Sequence, residues 1–293
     1  MRLASEDDYL MAGVPSGILS VNSPAGRAVM GGLEVQVGVL GGDTNAAVQA
    51  RAIEQLAERM RQSAVMPPEP VERLSEHVEL DALPQMAAAG TLSIGVADET
   101  LAPVGISPTG VLMVTGPPGS GRSTTLVTLA YAVRRQQPGI RIVHKAPSGT
   151  SIAGLSVWDD SAVGEDRVSS LVTQLQLGVV PGQPSNIMLV LENVAGFGNT
   201  AVENSLADLV KSLGSGAFVV GESESSSWSE AWTLSQSFKA SRRGIVLWPN
   251  GMDTESLLST SIGSVRRTEF PPGRGVLVER GKGVWLQLAQ PGI

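Results

Sequence analysis

A glycine-rich segment from Gly116 to Ser123 has the residue types of a loop that binds phosphate. It follows an apolar stretch at 111–115 and leads into helix-compatible sequence from Gly121. Small residues let backbone N–H groups point at an anion, and the helix N-terminus adds its dipole. The alternative is an ordinary strand-to-helix turn without a ligand. The residues predicted to bind a nucleotide are Gly116, Pro117, Pro118, Gly119, Ser120, Gly121, Arg122, Ser123 and Thr124.

Arg122 stands where such a loop usually has lysine. An ammonium is a compact charge that fits between the β- and γ-phosphates, whereas a guanidinium is a larger planar fork, so the replacement is not conservative. Ser123 supplies the hydroxyl that commonly ligates Mg²⁺ beside the phosphates. The loop therefore predicts nucleotide binding with altered placement of the γ-phosphate.

An apolar run at 187–191 ends in Glu192 and Asn193, the pattern of the second strand of a nucleotide site. Glu192 takes the place of the acidic residue that holds Mg²⁺, together with Ser123, and Asn193 the place of the residue that activates water. Because an amide cannot accept a proton, these two catalytic positions predict impaired hydrolysis. In the alternative interpretation, Glu192 only ends a strand and caps the next segment.

Strand and helix patterns alternate from about residue 90 onward. Nearly continuous apolar strands at 111–115 and 187–191 suit the centre of a sheet that is covered on both faces. We therefore predict an α/β fold with a mostly parallel central sheet, helices on both faces and an antiparallel edge. Strands are predicted at 92–96, 111–115, 140–144, 187–191, 217–220, 244–248 and from 275, and helices at 121–135, 165–177, 200–213 and 229–240.

The two ends of the chain share a repeated pattern. A Pro-Gly turn, an arginine, a short strand, a second turn and an alternating strand occur at 23–39 and again at 271–289. We infer that the same element closes two successive modules of a longer protein, with chance similarity as the alternative. The predicted parts are the end of a preceding module at 1–41, a bridging helix at 45–63 and proline-rich linker at 65–70 within 42–90, and a nucleotide-binding module at 91–293.

Composition restricts the class of function. The 293 residues include no cysteine and two histidines, which excludes disulfides and thiol chemistry and disfavours a multi-histidine metal site. The chain has 28 acidic and 21 basic residues, and its formal charge of -7 disfavours a broad DNA-binding surface. A secretory signal and an apolar run of about 18 residues are both missing, so we expect a cytoplasmic location.

Three segments together resemble the FtsK/SpoIIIE family of P-loop ATPases: 111–123, Ser-Arg-Arg-Gly-Ile-Val-Leu-Trp-Pro at 241–249, and Phe-Pro-Pro-Gly-Arg-Gly at 270–275. The duplicated closing element and Ser-Glu-Asp-Asp-Tyr-Leu at 5–10 are most similar to the C-terminal ATPase modules of type VII secretion EccC/EssC proteins. The resemblance implies a RecA-like P-loop fold, the cofactors ATP and Mg²⁺, and a cytoplasmic module of a membrane-anchored motor.

The resemblance also implies partners: preceding ATPase modules of the same chain, small WXG-type secretion substrates, and a homo-oligomer such as a hexamer of the full-length protein. Because Arg122 and Asn193 depart from the pattern of an active motor, the expected function is ATP binding in regulation or substrate recruitment. Two alternatives stay open. One is a DNA-translocating ATPase, which the acidic charge disfavours, and the other is a structural domain whose loop is filled by the Arg122 side chain.

Overall fold

The computed structural model describes residues 3–63, 66, 72–178, 184–262 and 270–292. The chain divides into two compact units, Met1–Val71 and Glu72–Ile293. Seven α-helices and thirteen β-strands occur in the described part of the chain. None of these helices is both long and apolar enough to cross a membrane.

The first unit contains two helices and one antiparallel hairpin. Its elements are α1 (Glu6–Met11), β1 (Arg27–Met30), β2 (Leu33–Gln36) and α2 (Ala46–Gln62). Asn45 caps α2, because its side-chain oxygen accepts the N–H of Ala47 at 2.9 Å. A helix therefore occupies most of the segment 45–63, as predicted, and its bridging role stays a prediction. The predicted linker at 65–70 lies outside the described residues, except for Met66.

The second unit is built on one mixed sheet. Its strands are β3 (Met86–Ala88), β4 (Thr91–Ala97), β5 (Pro103–Ile106), β6 (Gly110–Thr115), β7 (Arg141–Ala146), β8 (Asp160–Val163), β9 (Ile187–Leu191), β10 (Phe218–Ser223), β11 (Gly244–Leu247), β12 (Arg274–Glu279) and β13 (Lys282–Leu288). Within the described residues the order is β3-β4-β13-β12-β11-β6-β10-β9-β7-β8, and β5 also pairs with β4. The ladders from β11 to β8 are parallel, and the others are antiparallel.

Helices cover both faces of this sheet. They are α3 (Arg122–Gln136), α4 (Glu165–Gly178), α5 (Val202–Leu213), α6 (Trp232–Ser241) and α7 (Gly251–Leu258). Along β6, Leu112 and Val114 join the buried cluster that contains α3, whereas Met113 joins the cluster that contains the other four helices. Side chains of a strand alternate between faces, so each face has its own core. The predicted fold class is confirmed.

The repeated sequence element forms a hairpin in both units. The arginine of the first strand lies opposite a glutamine of the second, Arg27 opposite Gln36 and Arg274 opposite Gln287. A glycine with positive φ, +82° and +80°, precedes each arginine. Each glutamine Nε2 donates to a carbonyl of the preceding turn, at 3.0 Å and 2.9 Å. The two hairpins therefore share their local hydrogen bonds as well as their sequence pattern.

The two hairpins differ in what surrounds them. The second belongs to the large sheet, its Gln287 is fully buried, and the N–H of Gly273 donates to the Ser120 carbonyl at 2.9 Å. In the first, Met30 and Leu33 are 72% and 71% exposed. The second hairpin is thus integrated into the core of its unit and connected to the predicted phosphate loop.

Candidate functional site

The glycines of the predicted phosphate loop lie where the backbone requires them. A Cβ at Gly116 would lie 2.6 Å from Ser120 Oγ and 2.8 Å from the Leu247 carbonyl oxygen, so a larger residue does not fit. Gly119 and Gly121 have φ values of +79° and +101°, a region that L side chains rarely adopt. The sequence thus allows a tight connection between β6 and α3.

Hydrogen bonds hold the loop from both ends. The Ser120 hydroxyl donates to the Pro117 carbonyl at 2.8 Å, and the Thr125 hydroxyl donates to the Gly121 carbonyl at 2.9 Å. Pro117 and Pro118 have no N–H, whereas the first N–H groups of a helix lack intrahelical acceptors. Backbone donors for an anion therefore come from the second half of the loop and the first turn of α3.

The Arg122 side chain is bound within the site. Its Nη1 donates to the Gly116 carbonyl at 2.5 Å, so this hydrogen bond connects the start of α3 with the first residue of the loop. Its Nε lies 2.8 Å from Glu222 Oε2, and Glu222 is only 3% exposed. Glu222 Oε1 accepts the backbone N–H of Asn193 at 2.7 Å. One buried carboxylate therefore connects the phosphate loop with the segment after β9.

The two predicted Mg²⁺ ligands are neighbours. The Ser123 hydroxyl donates to Glu192 Oε1 at 3.2 Å, and Glu192 Oε2 lies 3.0 Å from His144 Nε2. The buried His144 ring contacts Ser161 Oγ through Nδ1 at 3.0 Å and stacks on Trp158 with a centroid distance of 5.0 Å. Glu192 is thereby positioned by a side chain from the adjacent strand β7.

The two buried carboxylates have opposite pKa shifts. Burial raises the pKa of Glu192, but hydrogen bonds from His144, Thr150 and Ser123 outweigh burial and bring that pKa below its ordinary value. Burial also raises the pKa of Glu222, and the charge of Arg122 and the N–H of Asn193 offset this only in part. Glu192 is therefore the carboxylate that stays ionised most readily.

Asn193 has a left-handed backbone, with φ of +50° and ψ of +63°. Asparagine tolerates this region better than most residues, and such conformations are frequent at functional sites. Its side chain lies against Gly196, because a Cβ at Gly196 would be 2.7 Å from Asn193 Nδ2. The backbone N–H of Asn193 donates to Glu222. Asn193 also lines a cavity at the edge of the sheet.

A cavity of about 470 Å³ lies at the carboxyl ends of the parallel strands. Ligands of open α/β sheets bind at this edge. Four glutamates and one arginine are among its described lining residues: Glu192, Glu222, Glu224, Glu230 and Arg122. The excess of negative charge disfavours a bare polyphosphate, so a phosphate chain would enter more favourably with a divalent cation.

The structure brings Arg122, Ser123, Glu192 and Asn193 together at this cavity. The other predicted loop residues, 116–121 and Thr124, are not among the described residues that line it. Sequence patterns did not identify His144, which comes from a different strand and has no recognisable spacing to Glu192. The sequence Glu-Ser-Glu-Ser at 222–225 is typical of a solvated loop, but the Glu222 side chain is buried.

Arg243 and Arg274 are both engaged in contacts within their own unit. Arg243 Nε lies 2.5 Å from Glu279 Oε1, and its Nη atoms donate to backbone carbonyls at 2.6 Å. Arg274 donates to Gln287 Oε1 and to the carbonyls of Leu74 and Ser75. These contacts give both arginines structural roles in the fold.

Known proteins of similar structure were found, although no protein-family model and no curated protein sequence matches the chain. One is the cytoplasmic domain of the Thermomonospora curvata type VII secretion ATPase EccC, with 21% identity and a TM-score of 0.65 over 85% of this chain. Another is T. curvata EccC (ATPases 2 and 3) in complex with a signal sequence peptide, with 18% identity and a TM-score of 0.65 over 99%.

A third is EssC (ATPases 2 and 3) from Geobacillus thermodenitrificans, with 17% identity and a TM-score of 0.61 over 99% of this chain. The matches cover 32%, 57% and 59% of those three chains, so this chain spans less than two thirds of each. At such identities the likeness establishes the fold, which is that of these ATPase domains.

Proposed function

We propose that this chain is an ATP-binding module of a type VII secretion motor in which hydrolysis is impaired. The proposal rests on two residues at one cavity that differ from the usual residues of an active P-loop ATPase. Arg122, in the place of the usual lysine, is bound to Gly116 and Glu222, and an amide, Asn193, occupies the place of the catalytic carboxylate. The shared fold with EccC and EssC ATPase domains supports the secretion context.

The residues of the site fit Mg²⁺ and a phosphate chain. Ser123 and Glu192 present a hydroxyl and an ionised carboxylate side by side, and Mg²⁺ prefers hard oxygen ligands of this kind. Glycines with positive φ and the N–H groups of the first turn of α3, which lack acceptors within the helix, suit phosphate oxygens. We assign phosphate binding to residues 116–124 and Mg²⁺ binding to Ser123 and Glu192.

Hydrolysis is impaired for a chemical reason. An attacking water must lose a proton, and the amide of Asn193 can orient a water but cannot accept its proton. The Arg122 guanidinium is larger than a lysine ammonium and is paired with Glu222. It therefore does not take over the role of a lysine that contacts the γ-phosphate. Binding of ATP at this site can therefore drive a conformational change, but it does not lead to hydrolysis of the ATP.

The proposed context is a cytoplasmic module of a membrane-anchored motor that recruits WXG-type substrates and assembles as a hexamer of the full-length protein. One similar structure is EccC in complex with a signal sequence peptide, which supports substrate recruitment as the class of function. Preceding ATPase modules of the same chain would be its nearest partners. Pull-down of a WXG-type substrate by the 293-residue chain tests recruitment, and no retention would contradict it.

We propose that residues 1–41 close a preceding module, 42–90 connect, and 91–293 form the nucleotide-binding module. The support is the similar hairpin near both ends, with its arginine–glutamine pair and its glycine of positive φ. A coding sequence upstream of Met1 with another strand, glycine-rich loop and helix is the expected observation. An upstream sequence without that pattern would contradict this organisation.

Calorimetric titration of the 293-residue chain with ATP, with Mg²⁺ and with a chelator, tests the proposed binding. We expect saturable binding of one ATP per chain that requires Mg²⁺, because four glutamates line the cavity. Absence of binding would favour the structural alternative, in which Arg122 fills the loop. The contact of Arg122 Nη1 with Gly116 is the specific observation in favour of that alternative.

A further inference from the structure

We propose that Glu222 sets the affinity of this site for nucleotide by holding the Arg122 guanidinium away from phosphate, an inference that rests on the proposed function. In this arrangement Glu222 is a positioning residue and acts through Arg122. A phosphate chain must compete with Glu222 for the guanidinium. The ion pair is thus a latch that a nucleotide opens.

The geometry of the pair suits a latch that opens. Arg122 Nε lies 2.8 Å from Glu222 Oε2, yet that oxygen has no hydrogen bond within the described part of the chain. The contact is therefore an ion pair without good hydrogen-bond alignment, and aligned charge-assisted bonds are the stronger ones. Phosphate oxygens, which bind guanidinium groups through aligned pairs of N–H groups, would offer Arg122 a better partner.

Glu222 itself is held in place by the surrounding structure. It lies on β10 between β6 and β9, it is 3% exposed, and its Oε1 accepts the N–H of Asn193 at 2.7 Å. Arg122 is the more exposed partner, with 22% of its side chain accessible. When the pair opens, Arg122 is therefore the residue that moves, and Glu222 keeps its contact with the segment after β9.

Glu222→Gln tests this inference with little change in shape. The glutamine Oε1 can still accept the Asn193 N–H, but its amide nitrogen takes the place of Oε2 and meets the Arg122 Nε, so two donors face each other. Release of Arg122 should tighten binding of Mg²⁺-ATP by about tenfold, the effect of about 1.4 kcal/mol.

Glu224→Gln is the matched control. Glu224 lines the same cavity, so its substitution removes the same negative charge without a contact to Arg122. We expect the affinity for Mg²⁺-ATP to rise less than about threefold in this variant, because a partly exposed charge is screened by solvent. Equal gains in the two variants would mean that cavity charge, and not the latch, sets the affinity, which would overturn the inference.

The outcomes separate this inference from the proposed function. Binding to the wild-type chain without tighter binding to Glu222→Gln overturns the latch and leaves the proposed function intact. Absence of Mg²⁺-ATP binding to both chains overturns the proposed function and the latch with it. Binding to Glu222→Gln alone shows that the latch keeps the site closed.

Thermal unfolding without nucleotide tests the pair independently. We expect Arg122→Met and Glu222→Gln each to lower Tm, and the double variant to lower Tm by less than the sum, because both single changes remove the same contact. Additive shifts would show that the two side chains are not coupled and would overturn the latch.

Discussion

Glu192 has side-chain partners at both of its carboxylate oxygens. Ser123 approaches one carboxylate oxygen and His144 the other, and together with Thr150 they bring its pKa below the ordinary value despite burial. A carboxylate that merely ended a strand would not need three side-chain partners. At the scale of this residue, the structure therefore favours a binding role for the negative charge.

Glu192→Gln should abolish the effect of Mg²⁺ on nucleotide binding. The amide keeps the size of the side chain but loses the anionic oxygen that Mg²⁺ prefers, so affinity for Mg²⁺-ATP should fall by at least about tenfold. Affinity measured with a chelator should hardly change. Calorimetric titration in both conditions gives the comparison, and an unchanged response to Mg²⁺ would show that Glu192 only ends β9.

Lys145 is a second unusual charged residue, and it has no role in the proposed site. It follows His144 on β7 but is fully buried, and its Nζ has no hydrogen bond within the described residues. Burial lowers the pKa of Lys145 from 10.5 to about 7, with Asp160 opposing and Arg141 adding to that shift. The native protein therefore holds this lysine at a cost in stability.

Lys145→Met should stabilise the protein, most strongly below pH 7. Between pH 7 and 10.5 the unfolded chain holds a proton on Lys145 that the native chain has lost, so wild-type stability rises with pH in this window. The gain at pH 6 should be on the order of a few kcal/mol and should shrink toward pH 10. Urea unfolding across this range measures it.

Lys211→Met, on the exposed side of α5, is the control for Lys145→Met. It should leave both the stability and its pH dependence close to those of the wild type. A Lys145→Met variant that is less stable than the wild type at pH 6, or that parallels the wild-type pH curve, would contradict the assignment of a destabilising buried amine.

The sequence predicted those site residues that belong to contiguous motifs. Of the residues named from the sequence, Arg122, Ser123, Glu192 and Asn193 line the cavity, and they belong to two segments that each follow an apolar strand, a local order that is readable without a structure. Glu222 and His144 could not be recognised in this way, because they contact the site through sheet neighbours that are distant in sequence. The strand order, which brings β6, β10, β9 and β7 side by side, decides those contacts.

At the scale of elements, strands with long apolar runs were predicted best. The prediction at 187–191 coincides with β9, and the predictions at 92–96 and 111–115 fall within β4 and β6. Central strands are recognisable because both of their faces are buried. The core helices were also predicted, although α6 begins three residues after the predicted start at 229.

Elements that depend on tertiary pairing were missed. The strand β8 reads Asp-Ser-Ala-Val, a sequence without strand periodicity, and it is stabilised by its parallel ladder with β7. The strands β3 and β5 pair with β4 at the antiparallel edge. β3 has only three residues, and the proline and glycine of β5 obscured it. The helices α1 and α7 are 6 and 8 residues long, too short for a periodic signal.

Gly198→Ala tests how closely the segment after β9 packs against the start of α6. A Cβ at Gly198 would lie 2.1 Å from the Glu230 carbonyl oxygen, and a backbone atom cannot rotate out of the way. We expect a loss in the free energy of unfolding of about 1–3 kcal/mol or more, measured by urea unfolding.

Gly139→Ala is the matched control for Gly198→Ala. A Cβ at Gly139 meets nothing within 4 Å, and its φ is not positive, so we expect a change within about 1 kcal/mol. Equal stability of the two variants would show that the segment after β9 is free to move away from α6.

At the scale of the whole molecule, the charge balance argues against the DNA-translocating alternative. The formal charge is -7, and the described lining of the cavity at the sheet edge contains four glutamates and one arginine. Binding to the DNA backbone depends on many cationic contacts. We expect no retention of duplex DNA at about 150 mM salt in a mobility-shift assay, and tight binding under that condition would support the alternative.

The cavity at which we propose that nucleotide binds lies in a chain that has a similar hairpin near both ends and shares its fold with structures of ATPases 2 and 3 of EccC and EssC. In such an arrangement a module that holds ATP without consuming it can act as a fixed element beside active neighbours. Bound ATP would then stabilise the folded module, by an amount that grows with the ATP concentration relative to its Kd. The central claim is therefore retention of intact ATP.

The most direct test identifies the nucleotide that stays bound after incubation of the 293-residue chain with Mg²⁺-ATP. After removal of free nucleotide and denaturation of the protein, chromatography separates ATP from ADP. We predict intact ATP at about one molecule per chain, since an amide, Asn193, stands at the position where a carboxylate would accept the proton of the attacking water. Recovery of ADP, or of no nucleotide at all, would contradict the account.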